Sequence, residues 1–162
     1  MSPRPETLIL CLGNDLRADD GVGWKVAERL EAAPPPGAVV RKSALSGVYL
    51  VDELIEFHRV IVVDAVQTRT HAPGDVFLLP MEGIEGTPGA SPHGIGLPTV
   101  LRVGREYGLP LPARVDVVAI EVIDLETLGC GLTAPVEAAV PRAEALVHAI
   151  LAAPPHPPEP AQ

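Results

Sequence analysis

Cysteine, aromatic residues and positive charge are all scarce in this chain of 162 residues. The two cysteines, Cys11 and Cys130, form neither a disulfide framework nor a zinc-binding spacing. Twelve lysines and arginines stand against 21 aspartates and glutamates, so the chain lacks the positive charge with which nucleic-acid-binding proteins neutralise phosphates. The composition therefore argues against a disulfide-stapled protein, a zinc finger and a nucleic-acid partner.

Long hydrophobic runs are also missing. No stretch approaches the 18 consecutive apolar residues of a membrane-spanning helix, and no separate signal-peptide core precedes the first apolar segment. These absences predict a cytoplasmic protein without membrane insertion. The length suits a single domain, which we expect over residues 1–153, with a proline-rich disordered tail over 154–162.

The segment 13–23 holds three aspartates and three glycines between an apolar run and an amphipathic helix. The run, Thr7–Leu12, lacks the polar alternation of a half-exposed strand, which predicts a strand covered on both faces. Val22, Val26 and Leu30 then recur at helical spacing, and we expect the helix over residues 24–33. Such a strand-to-helix turn lies at the carboxyl edge of an α/β sheet, where ligand sites gather.

Two other interpretations of this turn need weighing. A dinucleotide site requires the spacing G-x-G-x-x-G, which is absent, and Asp19 and Asp20 would repel a phosphate. A purely structural alternative is that Asp19 or Asp20 caps the following helix. A single aspartate is enough for a cap, so the second would remain available to a metal ion or a proton.

The next elements predict a doubly wound arrangement. A strand over 38–43 and a helix over 48–57 lead to the buried strand Arg59–Ala65, which contains Asp64 near its end. Right-handed crossovers then place the first strand between the second and the third. Asp64 would therefore lie close to Asp20, although an aspartate that merely ends a strand is the structural alternative.

The second half of the chain completes the sheet. The connection 67–73 is too short for a crossover helix, so the strand 75–79 should pair antiparallel. The chain must then return, which places His93 at the carboxyl edge before a helix over 97–107, a parallel strand over 113–120 and a last helix over 134–152. We predict a three-layer α/β/α sandwich with a mostly parallel, mixed five-stranded twisted sheet of order 2-1-3-5-4.

Asp20, Asp64 and His93 thus converge on a single edge, where they form our candidate catalytic and metal-binding site. Two carboxylates and an imidazole suit a divalent transition metal and leave coordination positions open. A loop histidine without a function is the alternative for His93. A serine hydrolase built on Ser46 or Ser91 is a rival, but the sequence has no G-x-S-x-G elbow.

From about residue 7 to 150 the sequence resembles the maturation endopeptidases of NiFe hydrogenases. The resemblance rests on these motifs: Gly13-Asn14 followed by Asp19-Asp20-Gly21 and Gly23, Val62-Val63-Asp64-Ala65, Ser91-Pro92-His93, and Ala119-Ile120-Glu121 followed by Leu132-Thr133, Pro135 and Glu137-Ala138-Ala139. It implies a three-layer α/β/α fold. It also implies an enzyme that removes a short C-terminal peptide from the hydrogenase large-subunit precursor after nickel insertion.

The resemblance also bears on the site. The family's acidic loop residue, strand-end aspartate and loop histidine fall on Asp20, Asp64 and His93, and some relatives carry glutamate where this chain has Asp20. The resemblance implies that nickel is sensed in the substrate's own cluster and need not be held by the resting enzyme. A non-catalytic, nickel-sensing chaperone of hydrogenase assembly on the same fold is the alternative function, because fold does not fix function.

Overall fold

A computed structural model describes residues 7–80 and 96–153 of the chain. The strands are β1 Thr7–Leu12, β2 Ala38–Ser43, β3 Arg59–Val66, β4 Val76–Leu78 and β5 Arg114–Glu121. The α-helices in the described ranges are α1 Val22–Ala32, α2 Val51–Leu54, α3 Leu97–Glu106 and α4 Ala134–Ala152, with 3-10 turns at Ala18–Gly21 and Gly47–Leu50. The predicted tail 154–162 and the segment with Ser91 and His93 lie outside the described residues, so those expectations stay predictions.

The sheet has the predicted topology. Its strand order is β2-β1-β3-β5-β4; β2, β1, β3 and β5 are parallel to one another, and β4 is antiparallel to β5. The inner strands β1 and β3 are nearly continuous apolar runs because helices cover both of their faces. All the parallel strands therefore end at one carboxyl edge, and the loops that follow them share it.

Alternate side chains of the inner strands enter two separate cores. Ile9, Cys11, Ile61 and Val63 pack with α1 and α4 on one face of the sheet. Leu8, Leu10, Val60 and Val62 pack on the other face with α2 and α3. This arrangement confirms the three-layer α/β/α architecture, and its aliphatic cores agree with the low aromatic content of 3%.

The predicted second helix over 48–57 is wrong. The chain forms the 3-10 turn Gly47–Leu50 and then a single helical turn, Val51–Leu54. Ile55 is extended, with ψ 138°, and Glu56 has a left-handed φ of 86°, a conformation that an α-helix cannot contain. Leu50 and Leu54 are nevertheless fully buried, so the apolar stripe that suggested a longer helix covers the sheet with less helical structure.

Two other boundaries differ from expectation. The first helix begins at Val22, and the 3-10 turn Ala18–Gly21 precedes it directly. Strand β3 continues to Val66, beyond Asp64, because β5 keeps pairing with it as far as Glu121. Both differences bear on the site, since they bring Asp20 into a 3-10 turn and place Asp64 inside a paired strand.

The helix α4 runs from the carboxyl edge to the amino edge of the sheet. It packs on α1 and β5, and the Arg59 guanidinium, at the start of β3, donates a hydrogen bond to the Ile150 carbonyl near its end, at 2.5 Å. Burial lowers the pKa of Arg59 from its ordinary value, with the nearby Arg114 adding to the effect. Among the described helices, none has the length and apolar character that crossing a membrane requires.

Candidate active site

The loop between β1 and α1 folds back on itself and returns Asp20 to the end of β1. The Asn14 N–H donates to the Asp20 carbonyl at 3.2 Å, and the Asp20 N–H donates to the Arg17 carbonyl at 2.8 Å. Only glycine fits at position 13, because a Cβ there would collide with the Asp20 carbonyl oxygen. The backbones of Gly13 and Asp20 are therefore in close contact.

Gly23 lets the first turn of α1 sit directly on the ends of two strands. A Cβ at this position would collide with the Leu12 carbonyl of β1 and would lie 3.2 Å from the Val63 carbonyl of β3. Val63 immediately precedes Asp64. The start of α1, which directly follows the turn that contains Asp20, therefore packs closely on the ends of β1 and β3, next to Asp64.

Asp64 lies where β1 stops pairing with β3. The last pair in register is Cys11 with Val63, whereas Asp64 still pairs with Ala119 of β5 on its other side. Beyond β1 the chain has turned into the loop that carries Asp20, and the 3-10 turn Ala18–Gly21 contacts β3. Asp20 and Asp64, each 2% exposed, therefore share the carboxyl edge, as the topology predicted.

Asp19 has a structural task that sequence reasoning missed. Its fully buried carboxylate accepts hydrogen bonds from the Ile123 and Asp124 N–H groups at 3.1 and 3.0 Å. It also accepts the Thr133 N–H at 2.7 Å and the Thr133 hydroxyl at 2.9 Å. The N-cap residue of α1 is Gly21, and no side chain caps the helix with a hydrogen bond, so the structural alternative that Asp19 or Asp20 caps it is wrong.

The two loops that Asp19 joins also pair through their backbones. Arg17 and Leu128 form an antiparallel bridge, and the Gly129 N–H donates to the Leu16 carbonyl at 3.1 Å. The segment 122–133, which follows β5, is therefore bound along its length to the segment 13–20, which follows β1. These two paired loops lie at the edge of the sheet where Asp20 lies.

Glu121 secures a third segment at the same edge. The carboxylate, 2% exposed, accepts hydrogen bonds from the Thr68 N–H at 3.0 Å, the Thr68 hydroxyl at 2.9 Å and the Arg69 N–H at 2.7 Å. A buried carboxylate needs such donors to offset its lost hydration. In the sequence Glu121 stands out only as part of a motif, although an acidic residue at the end of a buried apolar strand is the signal that could have identified its role.

The described residues include two of the three residues of the candidate site. Asp20 and Asp64 are brought to one edge, while His93 and Ser91 lie outside the described ranges. Leu97, four residues after His93 in the sequence, is buried with Leu12 and Val62 in the core on one face of the sheet. Within residues 7–80 and 96–153, no three histidine, cysteine or acidic side chains are grouped in a way that could hold a metal ion.

A groove of about 660 Å³ lies away from the two aspartates, between α1, α4 and the segment 130–132. Three of its charged residues form ion pairs: Lys25 pairs with Glu28 at 3.2 Å, and Arg29 pairs with Glu144, which lies outside the groove lining. Cys130 lines the groove and is exposed, whereas Cys11 is buried. We assign the groove no part in the candidate site, because it contains none of the edge carboxylates.

Comparison with known proteins identifies a consistent set of relatives. A sequence model of a family described as hydrogenase maturation protease matches residues 24–150. The chain is 30% identical over 137 residues to the hydrogenase 2 maturation protease of Escherichia coli, covering 82% of each protein. It is 32% identical over 146 residues to the hydrogenase expression/formation protein HupD of Rhizobium leguminosarum, covering 87% of this chain and 71% of that protein.

Solved structures agree with the sequence relatives. The hydrogenase maturating endopeptidase HybD from E. coli superposes with a TM-score of 0.76 at 28% identity, covering 90% of this chain and 91% of the other. A solution structure of an endopeptidase from E. coli gives a TM-score of 0.77 at 29% identity over the same shares. The architecture described above is therefore shared with endopeptidases of known structure.

Proposed function

The chain belongs to the hydrogenase maturation protease family, and from this premise we propose that it removes a C-terminal peptide from the large-subunit precursor of a NiFe hydrogenase. The observation that carries the proposal is the placement of Asp20 and Asp64, both nearly fully buried, at the carboxyl edge of the sheet. Ligand and active sites of open α/β sheets lie at this edge. A cytoplasmic location stays a prediction from the sequence.

We propose that nickel enters as part of the substrate. Asp20 and Asp64 would offer carboxylate oxygens, and His93 an imidazole nitrogen, to the nickel of the precursor. These donor types suit divalent transition metals. A metal held by both partners would fix the scissile tail against the protease, so that cleavage proceeds from an oriented complex.

A metal bound by Asp20 would have to lie close to the backbone of the loop that carries this residue. An aspartate is one methylene shorter than the glutamate that some relatives carry here, so its carboxylate reaches less far from the backbone. The close contact between the Gly13 backbone and the Asp20 carbonyl fixes that backbone. We infer that the precursor, rather than the loop, adjusts its position to complete the contact.

A nickel-sensing chaperone of hydrogenase assembly on the same fold is the second candidate function, because one fold can host different functions. A nickel-sensing chaperone would bind the loaded precursor through the same three residues without cutting it. The two functions differ in product, since only a protease shortens the precursor. The segment holding Ser91 is not described, and Ser46 precedes the 3-10 turn Gly47–Leu50, so the structure supplies no support for a serine hydrolase.

The decisive experiment is incubation with a nickel-loaded large-subunit precursor, followed by intact-mass measurement. The wild-type chain should shorten the precursor at its C-terminus, and Asp20→Asn should not. Asp15→Asn is the matched control, because Asp15 lies in the same loop but is exposed. Binding of the precursor without shortening would favour the chaperone over the protease.

A further inference from the structure

Exposed apolar side chains are concentrated at the candidate site's edge. Nine large hydrophobic residues of the described chain are well exposed. Six of them follow the carboxyl ends of β1, β2 and β5, and we call these six the edge apolar set: Leu16, Leu45, Val48, Tyr49, Ile123 and Leu128. Hydrophobic side chains grouped on a surface mark contact sites, whereas scattered single ones need no explanation.

Leu16 and Leu128 form the best-defined part of this set. They are 67% and 72% exposed, and the bridge between Arg17 and Leu128 holds their backbones side by side. The buried Asp19 carboxylate fixes both loops from beneath by accepting hydrogen bonds from the Ile123 and Asp124 N–H groups. The backbones that carry the two leucines are therefore already fixed by hydrogen bonds. Binding a partner through these side chains would cost little free energy for ordering the loops.

Val48 and Tyr49 are held by a different element. They lie in the 3-10 turn Gly47–Leu50 and are 66% and 70% exposed, while Leu50 beside them is fully buried. The turn contacts α3, so its position does not depend on the pairing of the loops 13–20 and 122–133. The edge apolar set thus has two independently supported halves.

We propose that the edge apolar set docks the folded large-subunit precursor through an apolar surface around its scissile tail. This inference rests on the proposed function. The argument for this occupant is geometric: Leu16 is four residues from Asp20 in the sequence, and Leu128 is bridged to the residue after Leu16. A protein whose tail reaches Asp20 would therefore bring its surface close to the loops that carry both leucines.

A second copy of the chain is the competing occupant. A homodimer that buried the edge apolar set would cover the edge on which Asp20 and Asp64 lie, and it would exclude the precursor. Docking of the precursor and dimerisation through the same set are therefore mutually exclusive. This opposition makes the oligomeric state a test of the proposal.

The test compares two variants with matched loss of exposed apolar surface. The edge variant carries Leu16→Ser and Leu128→Ser. The control variant carries Leu78→Ser and Tyr107→Ser, whose parent side chains are 51% and 82% exposed but lie outside the edge apolar set. Steady-state processing of nickel-loaded precursor is followed by intact mass for both variants and for the wild type.

The proposal expects the KM of the edge variant to rise by about tenfold or more, with kcat unchanged, because apolar contact made before the chemical step is lost. The KM of the control variant should stay within about twofold of the wild type, because its substitutions lie outside the edge apolar set and remove no contact with the precursor. Should the edge variant fold poorly, Val48→Ser with Tyr49→Ser tests the other half with the same expected rise.

Three results would count against the proposal, each in a different way. A KM unchanged in both edge variants, with normal trimming by the wild type, would overturn the docking surface and leave the proposed function intact. A wild-type dimer that the edge substitutions dissociate would identify a second copy as the occupant. No trimming by the wild type would overturn the proposed function, and this inference with it.

Discussion

Thr133 donates both its backbone N–H and its hydroxyl to the carboxylate of Asp19, at 2.7 and 2.9 Å, across 114 positions of the sequence. The adjacent Asp20 lies in the same 3-10 turn, Ala18–Gly21, and is 2% exposed. Two consecutive aspartates thus serve different purposes. Asp19 connects the loops that follow β1 and β5, and Asp20 is left as the candidate for chemistry.

Asp19→Ala should lower the free energy of unfolding by about 3–5 kcal/mol, because the substitution leaves several buried donors without their shared acceptor. Urea denaturation of the wild type and the variant measures this difference. Asp15→Ala provides the control, since Asp15 is exposed in the same loop, and it should change stability by less than about 0.5 kcal/mol. Equal effects of the two substitutions would contradict the structural role of Asp19.

Asp20→Asn and Asp64→Asn should each leave the metal-free protein as stable as the wild type or stabilise it, by about 0–2 kcal/mol. Both carboxylates are buried at one edge, so removing a negative charge relieves repulsion and desolvation while keeping the side-chain shape. Denaturant midpoints measure the change. Clearly lower midpoints for both variants would show that the two carboxylates hold the fold together.

The two thiols should differ sharply in reactivity. Burial raises the pKa of Cys11 from 9.0 to about 12, with Glu31 adding to the effect, whereas Cys130 is exposed. Because the thiolate is the reactive form, a thiol reagent at pH 8 should label Cys130 alone in the native protein and both residues in urea. Peptide mapping by mass spectrometry locates the label, and Cys130→Ser should abolish native labelling.

The raised pKa of Cys11 also makes the stability of the fold depend on pH in the alkaline range. Its folded pKa lies above the ordinary value of 9.0, so the contribution of the neutral thiol to stability is complete below that value and is lost as the pH rises from it toward the folded pKa. Cys11→Ala should remove this part of the alkaline destabilisation. A native protein that labels rapidly at Cys11 near neutral pH would contradict the assigned burial.

The turn after β5 should open in acid at a pH below the ordinary aspartate range. Hydrogen bonds from Thr127, through its side chain and its N–H, and from the Glu126 N–H lower the pKa of Asp124 from 3.8. A lowered folded pKa contributes stability above the unfolded pKa, and this stability is lost as the pH falls through the folded pKa. The amide signals of Glu126 and Thr127 in an acid titration report the transition.

Asp124→Asn is the control for this titration, because it removes the ionising group while keeping an acceptor oxygen. The acid transition of the two amides should then disappear. A midpoint at or above pH 3.8 in the wild type would show that these hydrogen bonds do not favour the ionised carboxyl.

The topology was predictable because it follows from patterns local to the sequence. The unbroken apolar runs of β1 and β3, together with the short connection after β3, leave few arrangements that obey the crossover rules. The shared edge of Asp20 and Asp64 follows from that order alone. Their role in catalysis stays a prediction, as does that of His93.

The sequence did not predict the short second helix or the structural role of Asp19, because both depend on contacts that form only in the folded protein. The stripe that contains Leu50 and Leu54 fits a long helix as well as a short one, and the left-handed φ of Glu56 has no signature in a non-glycine residue. The role of Asp19 was missed because its main partner, Thr133, is distant in the sequence. A cap is the default interpretation of an aspartate before a helix, and nothing local opposes it.

The central claim is that the precursor's nickel licenses cleavage through Asp20, Asp64 and His93. The most direct measurement is the intact mass of nickel-loaded and metal-free large-subunit precursor after incubation with the wild type, with His93→Ala and with His58→Ala, whose histidine is exposed. We expect the wild type and His58→Ala to shorten the nickel-loaded precursor alone, and His93→Ala to shorten neither precursor. Equal shortening of both precursors, or normal shortening by His93→Ala, would contradict this claim.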